Sequence, residues 1–281
     1  ERVMELPLTE LQPFANHPFH VQDDAELQKL AESMREYGVL SPLIARPKDD
    51  GYELISGHRR KLAAEIAGMD KLPVLVREMT DDEAVVLMVD SNIQRENLLP
   101  SEKAFAYKMK LDAVKRQAGR HKNNSPQLAA NFRSDDEIAK QAGLSGDTVR
   151  RFIRLTELLP DLLQMVDDKR IAFSPAVELS YLKPDEQTEL LRMIQSEDGT
   201  PSLSQAIKMK KLSQIGRLSP DVIFSIMTEE KPNQKEQIRI PTDRLRKYFP
   251  KNYTAEQMED ALFKLLEERQ QRRQKSRDME R

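Results

Sequence analysis

The sequence predicts an α+β protein with a small mixed α/β domain over residues 1–99, an all-helical domain over residues 100–200 and a mostly helical region over residues 201–281. Two observations support this assignment. In the first hundred residues, short apolar runs of strand length alternate with amphipathic segments of helical period. From Pro100 onward, apolar residues recur every three or four positions, and the charged fraction of 33% is typical of a helix-rich protein.

The N-terminal domain is predicted to alternate helices and strands. Its first helix, residues 24–37, ends before Gly38 and has one apolar face formed by Leu27, Leu30, Ala31 and Met34. The turn-rich segment 47–51 then separates two short apolar runs, which is the pattern of a hairpin. The predicted elements after the first helix are strands at 42–46 and 52–55, a helix at 59–67, a strand at 72–77 and a helix that begins at 81–83.

The remainder of the chain is predicted to be helical. Ser101 is a favourable N-cap for a helix that continues to about Arg116, and residues 119–134 are polar enough to form an exposed loop. Two helices follow, 135–142 and 146–158, with a tight turn at 143–145 and further helices up to about residue 194. The last predicted elements are helices at 202–212 and 220–227, a strand at 237–240 and a helix at 255–274.

Composition excludes several kinds of chemistry. The chain has no cysteine, which excludes disulfides, thiolate metal sites and cysteine nucleophiles. Its four histidines are spaced in a way that suits no zinc motif. No stretch approaches about eighteen uncharged apolar residues, and the first residues lack the pattern of a secretory signal. We therefore expect a cytoplasmic protein without a membrane partner.

The net charge of −2 conceals a local basic segment. Residues 101–133 contain two acidic residues and eight basic ones, a net charge of +6: Lys103, Lys108, Lys110, Lys115, Arg116, Arg120, Lys122 and Arg133. Such a segment is expected where one face of a protein meets phosphates. A solvated helix face followed by a loop would give the same pattern.

Residues 135–158 have the pattern of a helix-turn-helix. Ile138, Ala139 and Ala142 form an apolar face, Gly143 permits the sharp turn, Leu144 is expected to fill the corner, and Ser145 caps the second helix. On that helix Val149, Phe152 and Ile153 are predicted to face inward, and Asp147, Arg150 and Arg154 outward with Arg151 on their flank. Outward arginines on a second helix suit guanine edges in the major groove, although an ordinary helical hairpin is the alternative. The predicted DNA contacts are Ser145, Asp147, Thr148, Arg150, Arg151 and Arg154, with Lys108 and Lys115 from the basic segment.

A second motif occurs where a predicted strand ends at Ile55 and a helix begins. Ser56, Gly57 and His58 join them, and the helix begins with Arg59, Arg60 and Lys61. Free N–H groups at a helix start, together with guanidinium groups, form a corner that can bind phosphate. A turn glycine followed by surface arginines is the alternative. A third segment, residues 90–102, is rich in polar side chains and fits either a capped helix junction or a surface that faces a ligand.

The order of these motifs resembles that of the ParB family of partition proteins over roughly residues 3–195. Residues 27–44 are similar to the family's first helix and strand, residues 56–60 to its arginine-rich phosphate motif, and residues 92–98 to its Asn-x-Gln-Arg-Glu-x-Leu motif. The helix-turn-helix also falls where the family has one. The resemblance implies a ParB-type N-terminal domain in a homodimer that binds double-stranded DNA at a centromere-like site, works with a ParA-type ATPase and associates with the nucleoid.

The resemblance also implies binding of CTP with Mg²⁺, with gating by the nucleotide and slow hydrolysis. The implied nucleotide contacts are Ser56, Gly57, His58, Arg59, Arg60, Asn92, Gln94 and Arg95, with Asn92 also near the metal. Three positions depart from the family pattern. His58 replaces the usual acidic residue, Ser91 replaces the glutamate before the motif asparagine, and the Gln-Pro-Arg motif appears as His17-Pro18-Phe19 without its arginine. Losing a carboxylate weakens a magnesium site, so we expect hydrolysis to be slow or undetectable.

Two other functions remain as alternatives: a transcriptional regulator that uses the same helix-turn-helix, and a nucleotide-using enzyme on the ParB-like fold. Sulfiredoxin chemistry is excluded, since it needs a cysteine. The C-terminal helix carries an apolar face at Met258, Leu262, Leu265 and Leu266. That face suits either a dimer contact or packing onto a core.

Overall fold

The computed structural model describes residues 2–19, 24–95, 97–120, 134–197, 199–229, 246–250, 253–254, 257–258 and 260–269. It divides into two compact units, Glu1–Glu229 and Glu230–Arg281. In the part of the chain so described, no helix combines the length and the apolar character that crossing a bilayer requires.

The first unit contains a five-stranded mixed sheet. Its strands are β1 (Arg2–Pro7), β2 (Leu11–Pro13), β3 (Leu43–Lys48), β4 (Gly51–Ser56) and β5 (Lys71–Val76), in the order β1-β5-β3-β4-β2. The β3–β4 hairpin predicted from the turn at 47–51 is confirmed, and β3 also pairs in parallel with β5. The edge strands β1 and β2 lie outside the predicted elements, because their residues have no clear alternation and each is held by pairing with one neighbour.

Three helices accompany the sheet: α1 (Ala25–Tyr37), α2 (His58–Ala67) and α3 (Asp81–Asn92). The Asp24 side chain caps α1 by accepting from Leu27 N at 2.8 Å. Leu27, Ala31 and Met34 are buried as predicted, and they pack with Leu43 and Leu54 of the sheet into one core. A capping box between Thr80 and Glu83 begins α3.

Beyond α3, the regular elements in the described part of the first unit are helical. Its helices are α4 (Pro100–Arg120), α5 (Ser134–Ala142), α6 (Gly146–Arg154), α7 (Pro160–Asp167), α8 (Phe173–Leu179), α9 (Pro184–Glu197), α10 (Leu203–Gln214) and α11 (Pro220–Thr228). The predicted helix 146–158 is shorter than expected: α6 ends at Arg154, and residues 155–157 form a 3₁₀ turn that buries Leu155. The loop at 119–134 and the strand at 237–240 fall largely or wholly outside the described residues.

One hydrophobic core extends across most of these helices. Leu155, Leu162 and Leu179 belong to it, and so do Met209 of α10 and Ile223 of α11. Helices α10 and α11 therefore share a core with the residues that precede them. The division into domains at residues 99 and 200 stays a prediction.

In the second unit, residues 260–269 are helical. Met258 is buried there, whereas Phe263, Leu265 and Leu266 are more than half exposed.

Candidate functional site

A corner of backbone forms where β4 meets α2. Gly57 has φ +107°, in the left-handed region, and a Cβ at this position would lie 2.7 Å from Leu43 Cγ. Only glycine therefore lets the chain turn against β3 and begin α2 at His58. No side chain caps this helix start in the described structure. The first N–H groups of a helix have no partner within it, so this corner favours an anion.

Cationic side chains converge on the same corner. Burial first, and then the positive charges of His17, Arg95 and Lys61, lower the pKa of His58 to about 3. Burial and the charge of Arg59 likewise lower the pKa of Arg95. The structure thus brings together three of the predicted nucleotide residues, His58, Arg59 and Arg95. Like charges held this close are relieved when an anion binds between them.

His17 was not among the predicted site residues, yet it lies in this corner. Its ring packs on that of His58 with 4.0 Å between the centroids. The sequence indicated this position only indirectly, because His17 lies in the segment that replaces the family's Gln-Pro-Arg motif.

The two adjacent arginines are engaged with the protein itself. Arg59 Nη2 donates to Asp24 Oδ1 at 2.5 Å. Arg60 Nη1 donates to the carbonyl oxygens of Ser41 and Pro42 at 2.5 and 3.0 Å, and burial lowers the pKa of Arg60. Arg60 thus supports the loop before β3, whereas the sequence predicted a phosphate contact.

The Asn92–Arg95 segment lies at the end of α3. Asn92 is buried, and its Nδ2 donates to Met88 O at 2.8 Å and to Ser91 Oγ at 3.2 Å, so its amide turns back onto its own helix. The described residues include no group of three or more His, Asp or Glu side chains that could hold a metal ion. The Mg²⁺ contact expected at Asn92 would use Oδ1 of the same amide, and it stays a prediction. Of the other predicted nucleotide contacts, Ser56 ends β4 beside Gly57, and Gln94 is exposed.

Gln94 also lines a cavity of about 250 Å³ between α3, α4 and α5. Lys110 is buried in its wall, where its Nζ donates to Asp90 of α3 and, at 2.6 Å, to Gln141 Oε1 of α5. A buried ammonium group needs such partners. Lys110 therefore ties the end of α3 to the following helices.

The predicted helix-turn-helix corresponds to α5, a three-residue turn and α6. Ile138, Ala139 and Val149 are buried with Tyr107 of α4. Gly143 has φ +67°, and Ser145 Oγ caps α6 by accepting from Thr148 N at 3.1 Å. Leu144 was expected to fill the corner, but its side chain is 38% exposed. The turn is closed by the backbone instead, where Leu144 N donates to Ala139 O at 2.8 Å.

The arginines of α6 separate into two groups. Arg150 is exposed beside Ser145 and Asp147, with Asp136 and Asp147 each 3.9 Å away. Arg154, predicted to face outward, instead donates to Ser180 Oγ at 3.2 Å and Ser180 O at 2.7 Å, and it covers the ring of Tyr181. Arg151 donates to Ser174 Oγ and lies over Phe173. The outward prediction was wrong for Arg154, because α8 packs on this end of α6.

Much of the basic segment on α4 also makes internal contacts. Lys108 Nζ donates to Thr156 Oγ1 at 3.1 Å, and Arg116 Nε donates to Asp82 Oδ1 at 2.8 Å. Lys103 lies over the ring of Phe152, whereas Lys115 is exposed. Lys122 and Arg133 lie outside the described residues.

Comparisons with known proteins agree with the motifs. A family model described as ParB N-terminal domain matches residues 1–93. The chromosome-partitioning protein Spo0J of Thermus thermophilus is 34% identical over 185 residues, which are 66% of this chain and 62% of that protein. The chain therefore spans less than two thirds of that relative. A nucleoid occlusion protein of Bacillus mycoides is 28% identical over 238 residues, 81% of this chain and 76% of that protein.

The solved structures that are similar include two of a C-terminally truncated ParB from Caulobacter crescentus. One is complexed to the centromeric parS site, is 21% identical and covers 81% of this chain and 100% of that chain with a TM-score of 0.45. The other is complexed with CTP-gamma-S, is 26% identical and covers 69% of this chain and 99% of that chain with a TM-score of 0.32.

Proposed function

Because this chain belongs to the ParB family through its N-terminal domain, we propose that it binds a specific double-stranded DNA site and serves in DNA partition. In this proposal α5 and α6 form the DNA-reading helix-turn-helix, and the corner at the start of α2 binds CTP. A homodimer, a ParA-type ATPase partner and association with the nucleoid complete the proposal, in keeping with the chromosome-partitioning relative in Thermus thermophilus.

The observation that carries the DNA-binding proposal is the exposed start of α6. Ser145, Asp147 and Arg150 share this surface, while Val149 anchors the helix beneath it. Helices of this motif contact base edges with their N-terminal residues, and arginine recognises guanine O6 and N7 as a pair. Arg151 and Arg154 then hold the far end of α6 against α8, and exposed Lys115 is available for a phosphate.

The α2 corner supports the nucleotide part of the proposal. The N–H groups of the first turn would meet phosphate oxygens, and Arg95 would add a guanidinium group from the end of α3. Bound CTP would supply a polyanion that offsets the crowded cations. We infer binding without efficient hydrolysis, since Ser91 cannot supply the anionic oxygen that a glutamate would offer to the metal.

Thermal unfolding with and without nucleotide tests this site. Saturating CTP is expected to raise the Tm, because a ligand that binds only the folded protein stabilises it by about 2.7 kcal/mol at a hundred times its Kd. ATP and GTP serve as controls for the base. No shift with CTP, in the presence or absence of Mg²⁺ and DNA, would contradict the nucleotide proposal.

A DNA-binding role other than partition is the second candidate, favoured by the similarity to a nucleoid occlusion protein over 81% of this chain. A transcriptional regulator belongs to the same group. Genome-wide capture of bound DNA distinguishes these roles. One focus with spreading beside a gene for a ParA-type ATPase supports partition, whereas scattered peaks without spreading support the alternatives.

A further inference from the structure

His58 carries a buried polar atom that the described fold does not use. Its Nε2 is shielded from solvent and makes no hydrogen bond within the part of the chain that the structure describes. Leaving a buried ring nitrogen unbonded costs free energy, and such atoms are uncommon in folded proteins. The atom belongs to the first residue of α2, a helix whose start no side chain caps in the described structure. These observations together indicate a ligand that would meet both.

The ring of His17 limits where His58 can point. His17 Nδ1 lies 2.7 Å from Phe19 O, and a carbonyl can only accept, so Nδ1 carries the proton and donates. This bond and an edge-on contact with Phe19 fix the His17 ring, which then packs against His58. His58 is therefore held in place before any ligand arrives.

The charges around His58 determine its protonation. Burial, His17, Arg95 and Lys61 all oppose a positive charge on it, so the imidazole is neutral near pH 7. Arg59, the next residue, is paired with Asp24, and Glu102 acts on Arg95. A bound polyanion would reverse the local potential and favour a proton on this ring.

We propose that His58 is a phosphate ligand and that it takes up a proton from solvent when a nucleoside triphosphate binds at the α2 corner. This inference rests on the proposed nucleotide site. Nε2–H of His58 donates to a phosphate oxygen, and the proton gained occupies the second ring nitrogen. The imidazolium so formed adds one positive charge in the place where the family pattern has an acidic residue.

Calorimetry of the full chain with CTP tests the proton uptake. Titrations are run in EDTA and in Mg²⁺, at several pH values and in two buffers of different ionisation enthalpy. The matched variant is His58→Gln, which keeps a donor but cannot gain a proton. The wild type is expected to take up more protons than the variant, and its affinity to rise as pH falls, by at most about tenfold per pH unit. The triphosphate's own titration contributes equally to both proteins and cancels in the comparison.

A second measurement avoids any substitution. In the wild-type chain with labelled histidine, NMR titration follows the His58 imidazole with and without CTP, and a raised pKa in the complex is expected. If CTP binds but uptake and affinity match those of H58Q, or if the His58 pKa does not rise, the inference is overturned and the nucleotide site stands. If the wild type binds no CTP at all, both the proposed nucleotide site and this inference fail.

Discussion

At the scale of single residues, Gly57 shows how one position serves both fold and site. Its positive φ begins α2 and exposes the helix start, and its missing side chain leaves room for Leu43. Gly68, at the other end of α2, also has a positive φ of +73°, but nothing lies within 4 Å of where its Cβ would be. A side chain at Gly68 would therefore introduce backbone strain alone, whereas one at Gly57 would introduce strain and a steric clash.

Replacing Gly57 with alanine is expected to lower the free energy of unfolding by about 2–5 kcal/mol, the sum of left-handed strain and overpacking. Gly68→Ala is the control and should cost only about 1–2 kcal/mol, since it adds strain without a clash. Urea denaturation of both variants measures the difference. Equal costs would show that Leu43 moves aside freely.

Glu53 gives the fold a defined response to acid. It is buried with Arg46, whose Nε donates to Glu53 Oε2 at 2.8 Å, and Lys48 donates to Oε1 at 2.5 Å. Burial alone would raise the pKa of Glu53, but the hydrogen bonds from Lys48 and Arg46 bring it below its ordinary value of 4.5. Because the pKa of Glu53 is lowered in the folded protein, its ionised form stabilises the fold. This contribution to the free energy of unfolding is complete above pH 4.5 and is lost as the pH falls below that value.

Glu53→Gln is expected to cost about 3 kcal/mol at neutral pH, the lower end for a broken buried pair, because Asp81 still pairs with Arg46. The variant should also lose less stability than the wild type between neutral pH and the acid range. Denaturation at a series of pH values checks both effects. The control is Glu65→Gln, whose exposed side chain pairs with partly buried Lys61 at 3.3 Å, and this change should cost about 0.5 kcal/mol or less.

At the scale of elements, the two ends of α6 differ: its start is exposed, and its end is packed against neighbouring residues. Arg150 lies on the exposed start, whereas Arg154 is bonded to Ser180 and contacts the ring of Tyr181, as does Lys210. The same residue type therefore has two roles on one helix.

Arg150→Ala is expected to weaken specific DNA binding by about 1–3 kcal/mol while leaving the Tm nearly unchanged, because its side chain is exposed and the carboxylates beside it, Asp136 and Asp147, are exposed too. Arg154→Ala should lower the Tm instead, since it removes two hydrogen bonds and an aromatic contact. Fluorescence anisotropy with specific and nonspecific duplexes, paired with thermal melts, separates the two. The assignment of α6 fails if Arg150→Ala weakens both duplexes equally.

Some of these structural elements could be predicted from the sequence, and others could not. Helix α1, the β3–β4 hairpin and the α5–α6 turn were predictable because periodicity, caps and glycines encode them locally. Strands β1 and β2 were not, because pairing with distant strands creates them. The direction of Arg154 was not predictable either, because tertiary packing brings Ser180 and Tyr181 to it.

At the scale of the whole molecule, the α3–α4 junction connects the sheet region to the helices. Arg116 donates to buried Asp82, and Lys110 joins Asp90 to Gln141. Arg116 and Lys110 therefore pair with groups of the protein itself, although the sequence alone would assign their positive charges to DNA binding. A local excess of basic residues can therefore stabilise a helix junction as well as bind phosphates.

The position of α10 and α11 yields a prediction about independent folding. Ala206, Met209, Ile223 and Ile226 are buried in the core that also contains Leu155 and Leu190. Ending the chain after Glu229 should preserve the Tm of the first unit, whereas ending it after Thr200 removes those four side chains. Each fully buried apolar side chain of this size contributes about 1.5–3 kcal/mol, and alanine less, so the shorter fragment should lose about 5 kcal/mol and melt roughly 10–20 °C lower. Circular dichroism melts of the two fragments make the comparison, with limited proteolysis to locate the first cleavage. If both fragments melt together, the core closes without α10 and α11, and a domain boundary at residue 200 is correct.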